Sequence, residues 1–259
     1  MSASSHPAPK RVVVRLPIDP TLTALSEHRV FVDARRVTSV QLGELAALPD
    51  LQFLELSGPA IDLSPLAASA TLRDLHLDNP ARLDGLDRLK QLTSFGLYYL
   101  PRIKALDQIG ELGELHSLWI STPPSYDASR KCHRVQSLAP LAKLSRLQRL
   151  VLRGILPERD RLQPLETLAS LQTLEVTHVF DFAVEDYAGL ARALPNTAGH
   201  CLVPFFEASW AGTCDRCGGA KVALTAPPPR TSRTLCPRCQ RDRLDAHVER
   251  WNNALGVTS

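Results

Sequence analysis

The chain is predicted to fold as an α/β solenoid, a parallel-sheet horseshoe of about eight stacked repeats, followed by a small cysteine-bearing module. Three observations predict this. An apolar motif, Leu-x-x-Leu-x-Leu in relaxed form, recurs along most of the 259 residues. A second apolar block separates successive copies, with leucine at every third position in the clearest case. Two close cysteine pairs follow the last copy.

Clear copies start at Leu51, Leu72, Leu92, Leu115, Leu147 and Leu171, and weaker ones at Glu27 (Val30, Val32) and Thr197 (His200, Leu202). Successive starts lie 24, 21, 20, 23, 32, 24 and 26 residues apart. Periods in this range mark stacked repeats. Within a copy the Leu-x-Leu pair alternates inward and outward, as a short strand does. Stacking sets these strands side by side, and each repeat's inward leucines are covered only by its neighbours.

The blocks between strands include Ile61–Leu72, Leu83–Leu92 and Val135–Leu147. Leu83, Leu86, Leu89 and Leu92 recur at a spacing that suits a 3₁₀ turn or short helix on the convex side. Ser64-Pro65, Ala139-Pro140 and Gln163-Pro164 place proline where it opens such a turn. The segments IDLSPLA (Ile61–Ala67) and QSLAPLAKL (Gln136–Leu144), with the strand motifs, resemble the bacterial, internalin-type leucine-rich repeat family. The resemblance spans roughly residues 25–205 and implies a fold, not a partner. That family's ladder asparagine is missing: its places hold Pro59, Pro80, Leu100, Pro123, Ile155, Val179 and Phe205, with Asn79 one step early. An irregular, proline-stiffened turn edge is therefore expected. The one long interval contains STPPSYDASRKCHR, with Arg130, Lys131, His133 and Arg134. It reads as a solvated loop or, alternatively, as a contact loop for an acidic partner.

Cys214-x-x-Cys217 and Cys236-x-x-Cys239 lie 18 residues apart, the strongest chemical signal in the chain. Two residues between thiolates let a tight knuckle aim both sulfurs at one ion, and Gly218-Gly219 supplies positive φ after the first. Four thiolates complete a tetrahedral shell for one structural zinc, with no open position for water or substrate. An iron–sulfur centre or two redox dithiols are the alternatives. Between the pairs, AKVALT and RTL read as strands around a proline turn. After them Leu244, Val248, Trp251 and Leu255 recur at helical spacing. This arrangement resembles a treble-clef zinc module, with a zinc ribbon as the near alternative. Division into a leader (1–10), a solenoid with its N-terminal cap (11–206) and a four-cysteine module ending in a helix (207–259) follows.

Net charge is +3 overall, yet residues 211–259 hold eight Lys or Arg against four Asp or Glu. Arg230, Arg233, Arg238, Arg241 and Arg243 are the candidate contacts if the module meets nucleic acid. No aromatic residue is interleaved among them, so the preferred reading is a cap that closes the last repeat, with Trp210, Leu244 and Trp251 as its apolar contacts. No apolar run reaches membrane-spanning length and the start lacks a signal-peptide core, so a cytoplasmic location is expected. A bacterial effector delivered through its polar leader is a further alternative.

No phosphate-binding glycine loop, Gly-x-Ser-x-Gly elbow or His-Glu-x-x-His is present, so no enzyme and no small-molecule substrate are expected. Cys132 and Cys201 read as incidental, the latter as an outward strand residue. His28, His76, His116 and His178 share no common depth. A protein partner is expected on the concave face, where the residues flanking the strand leucines point. Glu55, His76, Tyr98, Tyr99, Trp119, Arg149 and Arg153 are the candidates. Tyr, Trp and Arg are the types that dominate binding energy at interfaces.

Overall fold

The computed structural model describes residues 10–13, 28–33, 37–58, 62–123, 132–177, 182–228 and 231–257. Eight strands form one sheet: β1 (Lys10–Val13), β2 (His28–Asp33), β3 (Phe53–Ser57), β4 (Asp74–Asp78), β5 (Ser94–Tyr98), β6 (Ser117–Ser121), β8 (Arg149–Arg153) and β10 (Thr173–Val176). Every neighbouring pair is parallel, in strict chain order. This is a leucine-rich repeat solenoid followed by a small C-terminal module.

The motif leucines make the core. Leu54, Leu75, Phe95, Leu118, Leu150 and Leu174 align across the sheet and are buried, as are Leu56, Leu77, Leu97, Ile120, Leu152 and Val176. Burying one such side chain is worth about 1.5–3 kcal/mol, and each is covered by the copies on either side. The convex blocks form 3₁₀ turns at Ser64–Ala68, Leu86–Arg88, Ile109–Glu111, Ala139–Lys143 and Gln163–Thr167. Proline stands in the first turn of three of them. Helix α1 (Ser39–Ala46) takes this place in the first repeat, opened by a capping box between Thr38 and Gln41.

The two ends of the sheet depart from the expected repeats. Lys10 lies inside β1 rather than in a leader; residues 1–9 are outside the described residues. At the other end the Thr197 copy forms no strand. Ala198 makes a single bridge to Thr173, and His200–Leu202 turns into a 3₁₀ helix. Gly199 permits this by pressing its backbone against β10, where an added Cβ would meet the Leu174 carbonyl oxygen at 2.3 Å. Cys201 is thereby turned inward and buried, not outward as expected, and burial pushes its thiol up to about 12.

The turn edge is also more regular than the missing asparagines suggest. Immediately after their strands, Gly58, Asn79, Tyr99 and Gly154 take left-handed conformations (φ 121°, 55°, 47° and 65°). The N–H groups of Gly58, Asn79 and Tyr99 donate to the carbonyls of Asp78, Tyr98 and Ser121, at 2.8–2.9 Å. Backbone N–H groups thus carry the ladder, so no side-chain amide is required. Pro59, Val179 and His178 lie outside the described residues.

The long interval is only partly a loop. Arg130 and Lys131 lie outside the described residues, but His133–Val135 forms β7, parallel to β9 (Ile155–Pro157). His133 is buried there, and its Nε2–H donates to the Ile103 carbonyl at 2.6 Å. It is thus a packing residue rather than a partner contact.

Helix α2 (Val184–Ala193) ends the solenoid, burying Val184, Tyr187, Ala188 and Leu190. Strand β11 (Phe205–Glu207) runs across the expected boundary at 206 and pairs antiparallel with β12 (Val222–Leu224), which pairs with β13 (Thr234–Leu235). Helix α3 (Arg241–Leu255) then packs on α2. Its Leu244 joins a small core with Val222, Leu224 and Leu235, whereas Trp251 enters the solenoid's own core. Trp210 makes no such contact: it is 60% exposed. No helix among the described residues is long and apolar enough to cross a membrane.

Candidate functional site

Parallel register decides what stands on the concave face. One row across the sheet runs Glu55, His76, Gly96, Trp119, Val151 and Glu175; the next runs Ser57, Asp78, Tyr98, Ser121 and Arg153. Adjacent strands lie about 4.8 Å apart, so side chains in these rows are direct neighbours. They form an open groove of about 460 Å³, lined by Glu55, His76, Asp78, Gly96, Tyr98, Trp119 and Arg153 among others.

Two of the walls are aromatic and exposed: Tyr98 at 41% and Trp119 at 36%. The Arg153 guanidinium lies 4.7 Å from the Trp119 ring centroid and is held there by Glu175, through Nε–H at 2.8 Å and Nη2–H at 3.1 Å. Planar guanidinium groups stack on indole faces and grip carboxylates with two bonds, which lysine does not. On the other side, His76 packs edge-on to Phe53, with centroids 5.1 Å apart, and its Nε2 lies 3.2 Å from Asp74. Asp78 accepts a hydrogen bond from the Ser57 hydroxyl at 3.0 Å. Gly96 forms the floor, where a Cβ would lie 2.7 Å from the His76 ring.

Of the candidates read from the sequence, Glu55, His76, Tyr98, Trp119 and Arg153 therefore meet in one groove. Arg149 is on the same face, at the opposite end of its strand and outside the groove lining. Tyr99 sits in the turn column instead, in the left-handed conformation. The strand alternation that places these candidates on the concave face places Asp78, Gly96 and Glu175 there too; Asp78 and Gly96 line the groove, and Glu175 holds Arg153 from outside the lining. What the structure adds is their pairing, Ser57 with Asp78 and Arg153 with Glu175.

The second candidate is the cysteine cluster. Cys214 and Cys217 stand on a tight turn that closes with Cys214 N–H to Gly219 O and Gly218 N–H to Cys214 O, both 2.8 Å, with Gly218 at φ 68°. Cys236 and Cys239 stand on the turn between β13 and α3. All four Sγ atoms lie within 4.8 Å of one another, and Cys217 and Cys236 are 3.5 Å apart. A zinc tetrahedron with about 2.3 Å bonds has sulfur–sulfur edges of about 3.8 Å, whereas a disulfide is about 2.05 Å. The four thiols are free, so the set fits a metal ion and not a cross-link. The Cys239 N–H, 3.4 Å from the Cys236 sulfur, pulls that thiol down to about 6. Hydrogen bonding to Cys217, with burial and the other thiols, pushes Cys239 up to about 12.

Of the module's basic residues, Arg216 and Arg238 stand in the two cysteine turns themselves. Arg241 pairs with Asp245 at 3.7 Å on exposed α3, Arg238 and Arg243 are exposed, and Arg233 is half-buried. Arg230 lies outside the described residues. Arg250 is turned inward, donating to the Ala226 carbonyl.

No protein-family model matches the chain. No curated protein matches it either. Among solved structures it is similar to internalin C2 of Listeria monocytogenes at 23% identity and TM-score 0.37, covering 57% of this chain and 58% of that one. An internalin F of the same organism is similar at 16% identity and TM-score 0.39, covering 69% and 62%. A leucine-rich repeat receptor-kinase ectodomain from Arabidopsis thaliana, crystallised with Casparian strip integrity factor 2, is similar at 14% identity and TM-score 0.40, covering 73% and 23%. The chain thus spans less than two thirds of the length of each of these proteins.

Proposed function

We propose that this protein is a non-enzymatic interaction scaffold that binds a protein partner on the concave face of its repeats, centred on the groove between His76 and Trp119. One observation carries the reading: Tyr98 and Trp119, on adjacent strands, expose two aromatic side chains in one groove of a sheet face whose other described apolar side chains, Phe53 and Val151, are buried. Rigid aromatic side chains in a desolvatable pocket are the usual energetic centre of an interface.

The C-terminal module completes this scaffold. Its four cysteines hold one structural zinc, in an arrangement of knuckle, hairpin and helix of the treble-clef type. The ion supplies charge neutralisation and a rigid crossing point, and the chain supplies all four ligands. A reducing compartment such as the cytoplasm keeps these thiols available. Helix α3, so anchored, presents Trp251 to the solenoid end.

An affinity pull-down tests the reading, comparing wild type with the double variant Tyr98→Ala/Trp119→Ala. Both side chains are substantially exposed, so the variant is expected to fold and to lose most of the recovered partner. Equal recovery by both proteins would remove the concave-face assignment.

A further inference from the structure

Resting on the concave face being the protein-binding surface, we infer that the groove over Gly96 is a subsite for one basic side chain, lysine or arginine, carried on an extended segment of the partner. Three features point there. The first is shape. Gly96 aligns with His76 on one side and Trp119 on the other. With no side chain between them, two strands about 10 Å apart flank a hollow one side chain wide. The His76 ring reaches over Gly96, where a Cβ would lie 2.7 Å from it, so the imidazole and the Gly96 backbone together form the floor of the groove.

The second feature is charge. Glu55 and Asp78 line the groove on the β3–β4 side, and Asp74 stands beside His76. The cation of the lining, Arg153, stands on the far side, where Glu175 grips it with two hydrogen bonds. A basic side chain entering over Gly96 faces carboxylates, and an acidic one is repelled by them. The third feature is the aromatic surface. The site already seats one guanidinium, because Arg153 lies 4.7 Å from the Trp119 centroid. A cation is attracted to the face of a Trp or Tyr ring within about 6 Å, and Tyr98, the next residue after Gly96 on this face of the strand, lines the same groove. Carboxylates on one wall and π faces on the other suit a long stem ending in positive charge.

The test uses displayed random heptapeptides selected on the full-length, zinc-loaded protein. Selected peptides are then synthesised with the recurring residue unchanged, as norleucine, and as glutamate. Anisotropy titrations are run against wild type and the near-isosteric variant Asp78→Asn. A lysine or arginine is expected at one fixed position. Norleucine there should weaken binding to wild type about tenfold, and clearly less to Asp78→Asn. Selection of peptides without a recurring basic residue, or equal binding of the norleucine peptide, would overturn the subsite and leave the concave-face reading intact. Equal selection by wild type and Tyr98→Ala/Trp119→Ala would overturn both.

Discussion

Two tryptophans of one module have opposite fates, and the difference is worth several kcal/mol. Trp251 is 2% exposed within the solenoid core, whereas Trp210 is 60% exposed. Truncating a buried Trp costs about 3–5 kcal/mol, and a surface change about 0.5 kcal/mol or less. Urea unfolding of Trp251→Ala should therefore show a large fall in midpoint, and Trp210→Ala almost none. Histidines behave as sharply. Burial is the main cause holding the His133 and His247 imidazoles below the ordinary histidine range, against the pull of their bonds to Ile103 and Pro204. The folded state thus resists protonation that the unfolded chain accepts near pH 6.5. The unfolded state binds more protons, so this part of the stability is full above about pH 6.5 and declines as pH falls below it. Comparing urea midpoints at pH 7.5 and 5.5, His133→Asn should show a smaller acid loss than wild type. The sequence marks both tryptophans as cap contacts and does not tell them apart. His133 stands in a polar, proline-containing segment that reads as a loop, and the periodicity that marks Leu244 and Trp251 as one face does not say that they enter different cores.

At the level of the repeat, the strand leucines and the proline-opened 3₁₀ turns were legible, because each follows from local spacing. The turn column was not. Its requirement is a positive φ just after the strand, met by Gly58, Asn79, Tyr99 and Gly154, four residues with no common sequence signature. Glycine adopts that conformation freely, whereas other L residues pay about 1–2 kcal/mol. Gly154 also donates its N–H to the Thr177 hydroxyl at 3.0 Å. Thermal unfolding of Gly154→Val should accordingly show a loss of about 1–2 kcal/mol. Asn79→Gly, which removes strain but adds chain entropy, should change little. An equal loss at both positions would mean that side-chain packing, not φ, governs the turn.

For the molecule as a whole, the cysteine module and the solenoid are mechanically one. Trp251 reaches the solenoid core, His247 bonds to the Pro204 carbonyl at 2.8 Å, and Arg192 of α2 bonds to the Leu255 carbonyl of α3 at 3.4 Å. Metal analysis of native protein should return one equivalent of zinc, and less than half an equivalent of zinc or iron would sink the assignment. Chelation should lower the melting temperature and speed hydrogen exchange in α2 as well as in the module. Exchange confined to residues 205–257 would show that the cap is not coupled to the repeats. The sequence alone determined the repeat, the two cysteine pairs and the inward face of the strands from β3 to β10 that carry the leucine motif, since periodicity and spacing are properties of neighbours along the chain. Only the tertiary structure decided where the sheet ends, that Asp78 shares a groove with Trp119 while Glu175 grips Arg153 beside it, and that Trp251 but not Trp210 is buried against the stack. Those depend on the register between strands 20 or more residues apart, which hydrogen bonding across the sheet sets and no local pattern encodes.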